Sequence, residues 1–381
     1  MKTLITLYAL SGAMAWLLVS GCTLKNGNES DGIPFDLSAS YPEKAIMLEE
    51  LADMEYLQLE SDNDFLFDGD PDIVGSDKII ISRLNGGDIL VFSRNGKPLS
   101  TFNRLGNGPE DYPRINKLIY DDTAEELYVI SPDKIRVYTL SGEFRRAIAL
   151  PEGAYISEIV NYDATTLLLY DDYNVYPAPF TFISKEDGHI VQTADMPKGE
   201  KITLHIMEQD KERISIFRAP AYHIVKYKEG YLLSDFSLDT VFFLSAQKEL
   251  QPALVRKPEI RKMEPIVYLN SFVEAGGYVF ASSVTVKMEN NRLPRTYLMQ
   301  DRKTGLVYRQ RITWDDYQGK QITISPETIQ KTQNDRLGLI VLDLEELKEA
   351  NRENKLGGKL KQLVDSSDME GNNIYMLLHF K

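Results

Sequence analysis

The stretches "ILVFSRNGKPLSTF" (89–102) and "IRVYTLSGEFRRAI" (135–148) align without a gap. Each runs from β-branched and aromatic residues through a polar turn with glycine into a second alternating segment. A third copy, "TFISKEDGHIVQTA" (181–194), keeps the register, so Gly96, Gly142 and Gly188 recur every 46 residues. Asn95-Gly96, Ser141-Gly142 and Asp187-Gly188 are dipeptides that accept the positive φ of tight hairpin turns, and each copy therefore reads as two antiparallel strands. Further alternating runs, "KIIISR" (78–83), "INKLIYDD" (115–122) and "ELYVIS" (126–131), lie upstream of the first two copies. They bring the unit to about four strands.

The pattern continues at longer intervals. "DTVFFLSAQKELQPALV" (239–255) puts Lys248 where glycine stood, 60 residues after Gly188, and "RTYLMQDRKTGLVYRQRI" (295–312) puts Gly305 a further 57 residues on. The added length falls in polar stretches such as "MEQDKERISIFRAP" (207–220), expected to be loop insertions or longer hairpins. A sixth unit assembles from both ends of the chain: "RLGLIVLDL" (336–344) and "NIYMLLHF" (373–380) with "MEYLQLE" (54–60). Radially repeated units of about 40–50 residues predict an all-β six-bladed β-propeller over 43–381. A β-sandwich would leave the 46-residue register unexplained, and a seventh blade has no turn mark. One passage, "DLEELKEANRENKLGGKLKQLV" (343–364), is helical by its leucine spacing, with Asp343 and Glu346 at capping-box separation and a break at Gly357-Gly358. It predicts a short helical insert near the C-terminus.

"RLGNGPEDY" (104–112) has the paired glycines of a phosphate cradle. Such a cradle opens onto a helix N-terminus, usually with a following lysine, whereas this loop leads into another strand and carries Glu110 and Asp111 where the anion would sit. It reads instead as the crossing from the outer strand of one blade to the inner strand of the next, beside the mouth of the axial channel. Arg104, Asn107, Glu110, Asp111 and Tyr112 are then the candidate ligand-binding rim.

The address is written in "MKTLITLYALSGAMAWLLVSGC": one lysine, an uncharged, mostly apolar run, then Val19-Ser20-Gly21-Cys22. This is a signal peptide (1–21) ending in a sequence that resembles the bacterial lipobox, so Cys22, the only cysteine, is expected to carry lipid. No disulfide can then form within the chain. Polar residues follow, and 22–42 is expected to be a flexible tether. With 43 basic and 57 acidic residues the formal charge is −14, which repels phosphate backbones and argues against nucleic acid as a partner.

Motifs for catalysis are absent. His189, His205, His223 and His379 are scattered, with no zinc-hydrolase pairing, and no Gly-x-Ser-x-Gly elbow occurs. Packing or solvent exposure is expected for each histidine. In "SDNDFLFDGDPD" (61–72) Asp62, Asp64, Asp68, Asp70 and Asp72 offer hard oxygen ligands at spacings foreign to an EF-hand, so calcium is the one cation to consider, and a solvated loop is the simpler reading. Tyr112, Tyr173, Tyr176, Tyr222, Trp314 and Tyr317 fall in expected loops and are candidates either for blade packing or for stacking on a sugar or peptide.

The chain resembles six-bladed β-propeller lipoproteins of Bacteroidetes with NHL-like repeats. Gly106-Asn107-Gly108-Pro109-Glu110-Asp111-Tyr112 is similar to that family's Gly-x-Gly-Pro-x-Glu-Tyr loop, with Asp111 where the family often has Glu. Asp239-Thr240-Val241-Phe242, Arg256-Lys257-Pro258 and the closing "NNIYMLLHFK" carry the rest of the likeness. The resemblance implies the fold and an envelope lipoprotein, and no activity. The expectation is a non-enzymatic binding or scaffold module, lipid-anchored at the outer membrane, for a glycan, peptide or envelope protein. The alternatives are a metal-dependent, lactonase-like hydrolase or lyase at the axial channel, and a structural subunit of an envelope complex.

Overall fold

The structure, a computed structural model, describes residues 32–381 except 62–63, 68, 84–85, 155, 174, 198, 203, 210–213, 219–220, 291 and 368–370, and gives no side chains for 205–218. The expected signal peptide and Cys22, together with Asp62 and Asp68 of the acidic loop, lie outside the described residues. The remaining strands form six small sheets in a ring, a six-bladed β-propeller.

Blade one holds, from the axis outward, Ile73–Val74, Lys78–Arg83, Asp88–Ser93 and Pro98–Asn103, and blade two Lys117–Asp121, Glu126–Ile130, Lys134–Tyr138 and Phe144–Ala149. Blade three follows with Ile156–Asn161, Thr166–Asp171, Phe180–Ser184 and Ile190–Thr193. Blade four has Ile224–Tyr227, Gly230–Leu233, Thr240–Leu244 and Leu250–Lys257. Blade five has Val267–Ala275, Tyr278–Thr285, Arg295–Asp301 and Val307–Thr313, and blade six joins Leu337–Leu342 and Ile374–Phe380 to Ala52–Gln58 from the N-terminus. The described residues of the polar 207–220 stretch, 207–209 and 214–218, belong to a separate pair of strands, His205–Gln209 with Ile214–Arg218. Middle strands such as "DILVFS" are buried on both faces because a blade lies on either side, while the outer "PLSTFN" alternates half-buried and exposed.

The 46-residue register has a physical cause at the seams. All five turn marks sit in the left-handed region: Gly96 at φ 87°, Gly142 at 83°, Gly188 at 82°, Lys248 at 66° and Gly305 at 71°. At the first three, a Cβ would also strike the preceding blade, 2.7 Å from the Gln58 carbonyl, 2.6 Å from the Phe102 ring and 2.6 Å from Ile148 respectively. Lys248 spans the equivalent seam with its side chain instead, its Nζ 4.6 Å from the Phe182 ring centre and 3.8 Å from Asp163 in blade three.

The tether is shorter than the sequence reading placed it. Ile33–Asp36 adds in parallel to the outer strand of blade four, and Glu43–Met47 does the same on blade five, before Ala52–Gln58 completes blade six. The N-terminal segment thus belts three successive blades and pairs edge groups that would otherwise be open. Phe35, fully buried, and Ile46, 4% exposed, anchor it. Residues 33–36 fail the expectation of a flexible linker because "IPFD" carries an apolar side chain that the edge of blade four can bury.

Lys185 of blade three reaches Asp121 of blade two, and both side chains are only 6% exposed. Burial by itself would raise the Asp121 pKa. The hydrogen bond from Lys185 and the amides of Ala124 and Thr123 outweigh it and hold the carboxyl below the usual range. Because the folded pKa is depressed, this stabilisation is complete above about pH 4 and is lost as pH falls through the folded value. Asp121→Ala, which strands a buried ammonium, is expected to cost about 3–5 kcal/mol at neutral pH. The urea midpoints of wild type and variant should converge at acid pH, and parallel pH profiles would contradict the assignment.

The helical insert divides as its sequence requires. Leu344–Arg352 begins at Asp343, whose carboxylate accepts from the Glu346 amide at 2.7 Å, and Gly358–Ser366 follows the Gly357-Gly358 break. Leu347, Leu360 and Val364 pack with Ile374 and Met376 on blade six.

Candidate ligand site at the propeller axis

The connection from blade five to blade six turns into the axis. Ser325, in extended backbone, precedes a short helix, Pro326–Gln330, with proline where its fixed φ and missing N–H suit a first turn. Thr328 and Ile329 are buried, and the Lys331 carbonyl accepts from the Val74 amide of blade one at 2.8 Å. This plug separates two cavities.

On the side where the inner strands of blades two, three and four begin, a cavity of about 770 Å³ is walled by Asn116, Lys117, Glu158, Tyr222, Tyr317 and the plug itself. On the side where those strands turn outward lies a second, of about 690 Å³, between Tyr120–Asp122, Asn161–Tyr162, Lys226–Glu229 and 330–336. Asp72, Lys117, Leu118, Gln330 and Lys331 face both.

Two carboxylates of the inner wall, Glu158 and Asp72, are already engaged. Glu158, 6% exposed, accepts from the amides of His223 at 2.8 Å and Ile224 at 2.7 Å and so staples blade three to blade four. Asp72 accepts from the Ser82 amide at 2.6 Å and hydroxyl at 2.7 Å, and burial raises its pKa despite those bonds and the nearby Lys331 and Lys117. For Lys117 burial is also the largest influence, lowering its pKa against the attraction of Glu158. Tyr317 donates to Glu346 at 3.2 Å and meets Trp314 edge-on at 5.7 Å, and burial pushes its hydroxyl up to about 12.

The sequence-derived rim lies elsewhere. Arg104–Tyr112 sits at the seam between blades one and two, and none of its residues lines either axial cavity. Tyr112 is corrected from ligand contact to packing: it is fully buried, its hydroxyl donating to the Gly87 carbonyl at 2.6 Å and accepting from the Arg104 amide at 3.0 Å. Arg104 spends its Nε on the Gly142 carbonyl at 3.2 Å. Asp111 folds back to accept from the Gly108 amide at 3.2 Å. That carboxylate explains both glycines, since a Cβ at Gly106 or Gly108 would lie 2.7 or 2.6 Å from it. Asn107 and Glu110 are exposed.

Of the other aromatics, Tyr176 and Trp314 are packed, Tyr173 is exposed, and Tyr222 and Tyr317 reach the axis. His223 is 6% exposed, stacked on Tyr170 at 3.9 Å, with Nδ1 2.7 Å from the Ser234 carbonyl. His189 and His379 lie at the surface against Asp187 and Glu55, and the His205 side chain is outside the described residues. Among the described residues no group of three or more His, Cys, Asp or Glu is placed to hold a metal ion. Sequence reasoning missed the plug. "SPET" (325–328), a cap residue followed by proline and glutamate, was the signal that could have found it.

The family described as a domain of unknown function, DUF4934, matches residues 34–379. The chain belongs to that family. No curated protein matches it. Among solved structures, a protein of Bacteroides fragilis described only as exported is 15% identical, with a TM-score of 0.61, covering 92% of this DUF4934 chain and 99% of its own. The WD40 domain of Neurospora crassa Pan2 (10% identity, TM-score 0.33, 60% of each chain) also aligns. So does virginiamycin B lyase of Staphylococcus aureus (13% identity, TM-score 0.33, 68% of this chain and 98% of that one). At those scores the two likenesses carry no argument. Among the described residues of this DUF4934 protein, no helix is long and apolar enough to cross a membrane.

Proposed function

We propose that this DUF4934 protein is an exported envelope lipoprotein, with NHL-like blades, that acts as a non-enzymatic binding module for a glycan, a peptide or a segment of a partner protein. Lipid on Cys22 holds it at the outer membrane, and the ligand enters the axial cavity where the inner strands begin. The observation that carries this reading is the roughly 770 Å³ cavity, whose wall combines Tyr222 and Tyr317 with hydrogen-bonding groups held in place by their own partners. Its size falls within the range of ligand pockets, about 300–1,000 Å³. The exported description of the Bacteroides fragilis protein supports the address.

Two measurements test this reading. Cys22→Ala is expected to move the protein from the membrane fraction to the soluble fraction, and full retention would refute the anchor. A thermal-shift panel of oligosaccharides and peptides is expected to yield a stabilising class, since a ligand at 100 times its Kd adds about 2.7 kcal/mol.

A further inference from the structure

The belt fixes where the chain enters the propeller. Ile33–Asp36 runs parallel to the outer strand of blade four, with Ile33 opposite Leu254, so the chain before Ile33 arrives from the end of that strand where its turn residue, Lys248, lies. Cys22 stands eleven residues earlier, at most roughly 36–40 Å of chain. A lipid on Cys22 thus keeps the turn end of blade four within that distance of a bilayer. Blade one, across a domain about 50 Å wide, is the part it constrains least.

The blades that flank this entry expose apolar side chains at the same end. In blade three, Ile190 and Val191 come directly after the Gly188 turn and its His189, and are 44% and 43% exposed. In blade five, Leu306 follows the Gly305 turn and is 53% exposed. The outer strand of blade three, Ile190–Thr193, is also the one outer strand without a guard among the described residues. Blade one's begins with Pro98, blade two's carries Arg145 and Arg146, blade six's carries Asp53 and Glu55, and those of blades four and five are covered by the belt. An edge that faced water would ordinarily carry one of these protections.

Charge does not account for this surface. The three turns hold Glu186, Asp187 and Glu249 against Lys248, Arg302 and Lys303, so no net field draws in an anionic headgroup. The free N–H and C=O groups of the blade-three edge are unsuited to hydrocarbon, and they set the depth of any lipid contact at the headgroups and ester carbonyls. We propose that the turn end of blades three to five is the membrane-facing surface of the protein, with Ile190, Val191 and Leu306 seated in the interface of the bilayer that receives the Cys22 lipid. This inference rests on the lipid anchor proposed above. The apolar contact is a second signal added to the acyl chains, and it sets the orientation of the ring. The opposite end, where the inner strands of blades two to four begin and the roughly 770 Å³ cavity lies, is then turned away from the lipid.

The test uses the full lipidated chain on phosphatidylcholine vesicles. Because Cys22 carries the lipid, one introduced cysteine accepts one fluorophore. The variants are Val191→Cys, Leu306→Cys, Leu99→Cys in the outer strand of blade one near its turn, and Leu105→Cys beyond the other end of that strand, all at exposed positions. Labels at 191 and 306 are expected to be quenched by nitroxide-labelled phosphatidylcholine and to be at least about twofold less accessible to iodide than in a chain beginning at Thr23. Labels at 99 and 105 are expected to stay accessible. Equal quenching at all four positions, or quenching at blade one alone, would overturn the inference. So would iodide protection without quenching by lipid, which would mean a protein partner on this surface, and so would a pattern that appears only when phosphatidylglycerol is added. A chain that floats with the vesicles and shows no quenching anywhere keeps its anchor and loses this contact, whereas a chain that fails to float refutes the anchor and the contact with it.

Discussion

A chain beginning at Leu48 is expected to be recovered mainly as aggregate, whereas one beginning at Gly32 folds and melts cooperatively. The difference lies in two short strands. Their loss removes Phe35 and Ile46 from the core, at about 3–5 and 2–5 kcal/mol for truncations of this kind, which is comparable with the whole net stability of about 5–15 kcal/mol. It also bares the outer strands of blades four and five, Leu250–Lys257 and Val307–Thr313, whose free N–H and C=O groups become templates for pairing between molecules. Size-exclusion chromatography and calorimetry of the two chains decide it. A Leu48 chain that stays monomeric with an unchanged melting temperature would mean that the belt is ornamental.

Gly142→Ala and Gly305→Ala are chemically the same change, yet the first is expected to cost about twice as much as the second. Both sites require positive φ, worth about 1–2 kcal/mol against any Cβ. At Gly305 nothing else lies within 4 Å, so the cost stops there. At Gly142 the new methyl would fall 2.6 Å from the Phe102 ring and force blades one and two apart, adding about 1–3 kcal/mol. Denaturant midpoints of the two variants should therefore separate clearly. Equal losses would show that the repeat glycine serves the turn alone and not the seam.

The contrast explains why the fold was so legible. A turn glycine that must satisfy both φ and a neighbouring blade recurs at the repeat length, and Lys248 marks the blade where a long side chain covers the seam instead. Blade six was readable because its three strands keep their alternation at both chain ends.

The site was harder to read. "RLGNGPEDY" looked like a rim because loops carry ligands, but its hydrogen bonds are spent on itself and on the seam. The lining of the proposed axial site, which includes Asn116, Lys117 and Glu158, lies on or beside inner strands whose sequence is shared with ordinary blade packing. The plug helix is only five residues long, too short for a periodic signal. Ile33–Asp36 is read as linker by composition, since a four-residue strand with one buried side chain has no pattern to detect.

The central claim is that the axis, and not the outer crossing, receives the ligand. Asn116 is exposed at the cavity wall and only its backbone amide is used, bonding to Ile130. Asn116→Trp should therefore change stability by no more than about 0.5 kcal/mol while narrowing the cavity. The deciding measurement is the thermal-shift panel run in parallel on wild type, Asn116→Trp and Glu110→Ala. The account predicts that the stabilising class loses its effect on the tryptophan variant and keeps it on Glu110→Ala. A ligand whose stabilisation survives Asn116→Trp and disappears with Glu110→Ala would place binding on the crossing loop and contradict the account.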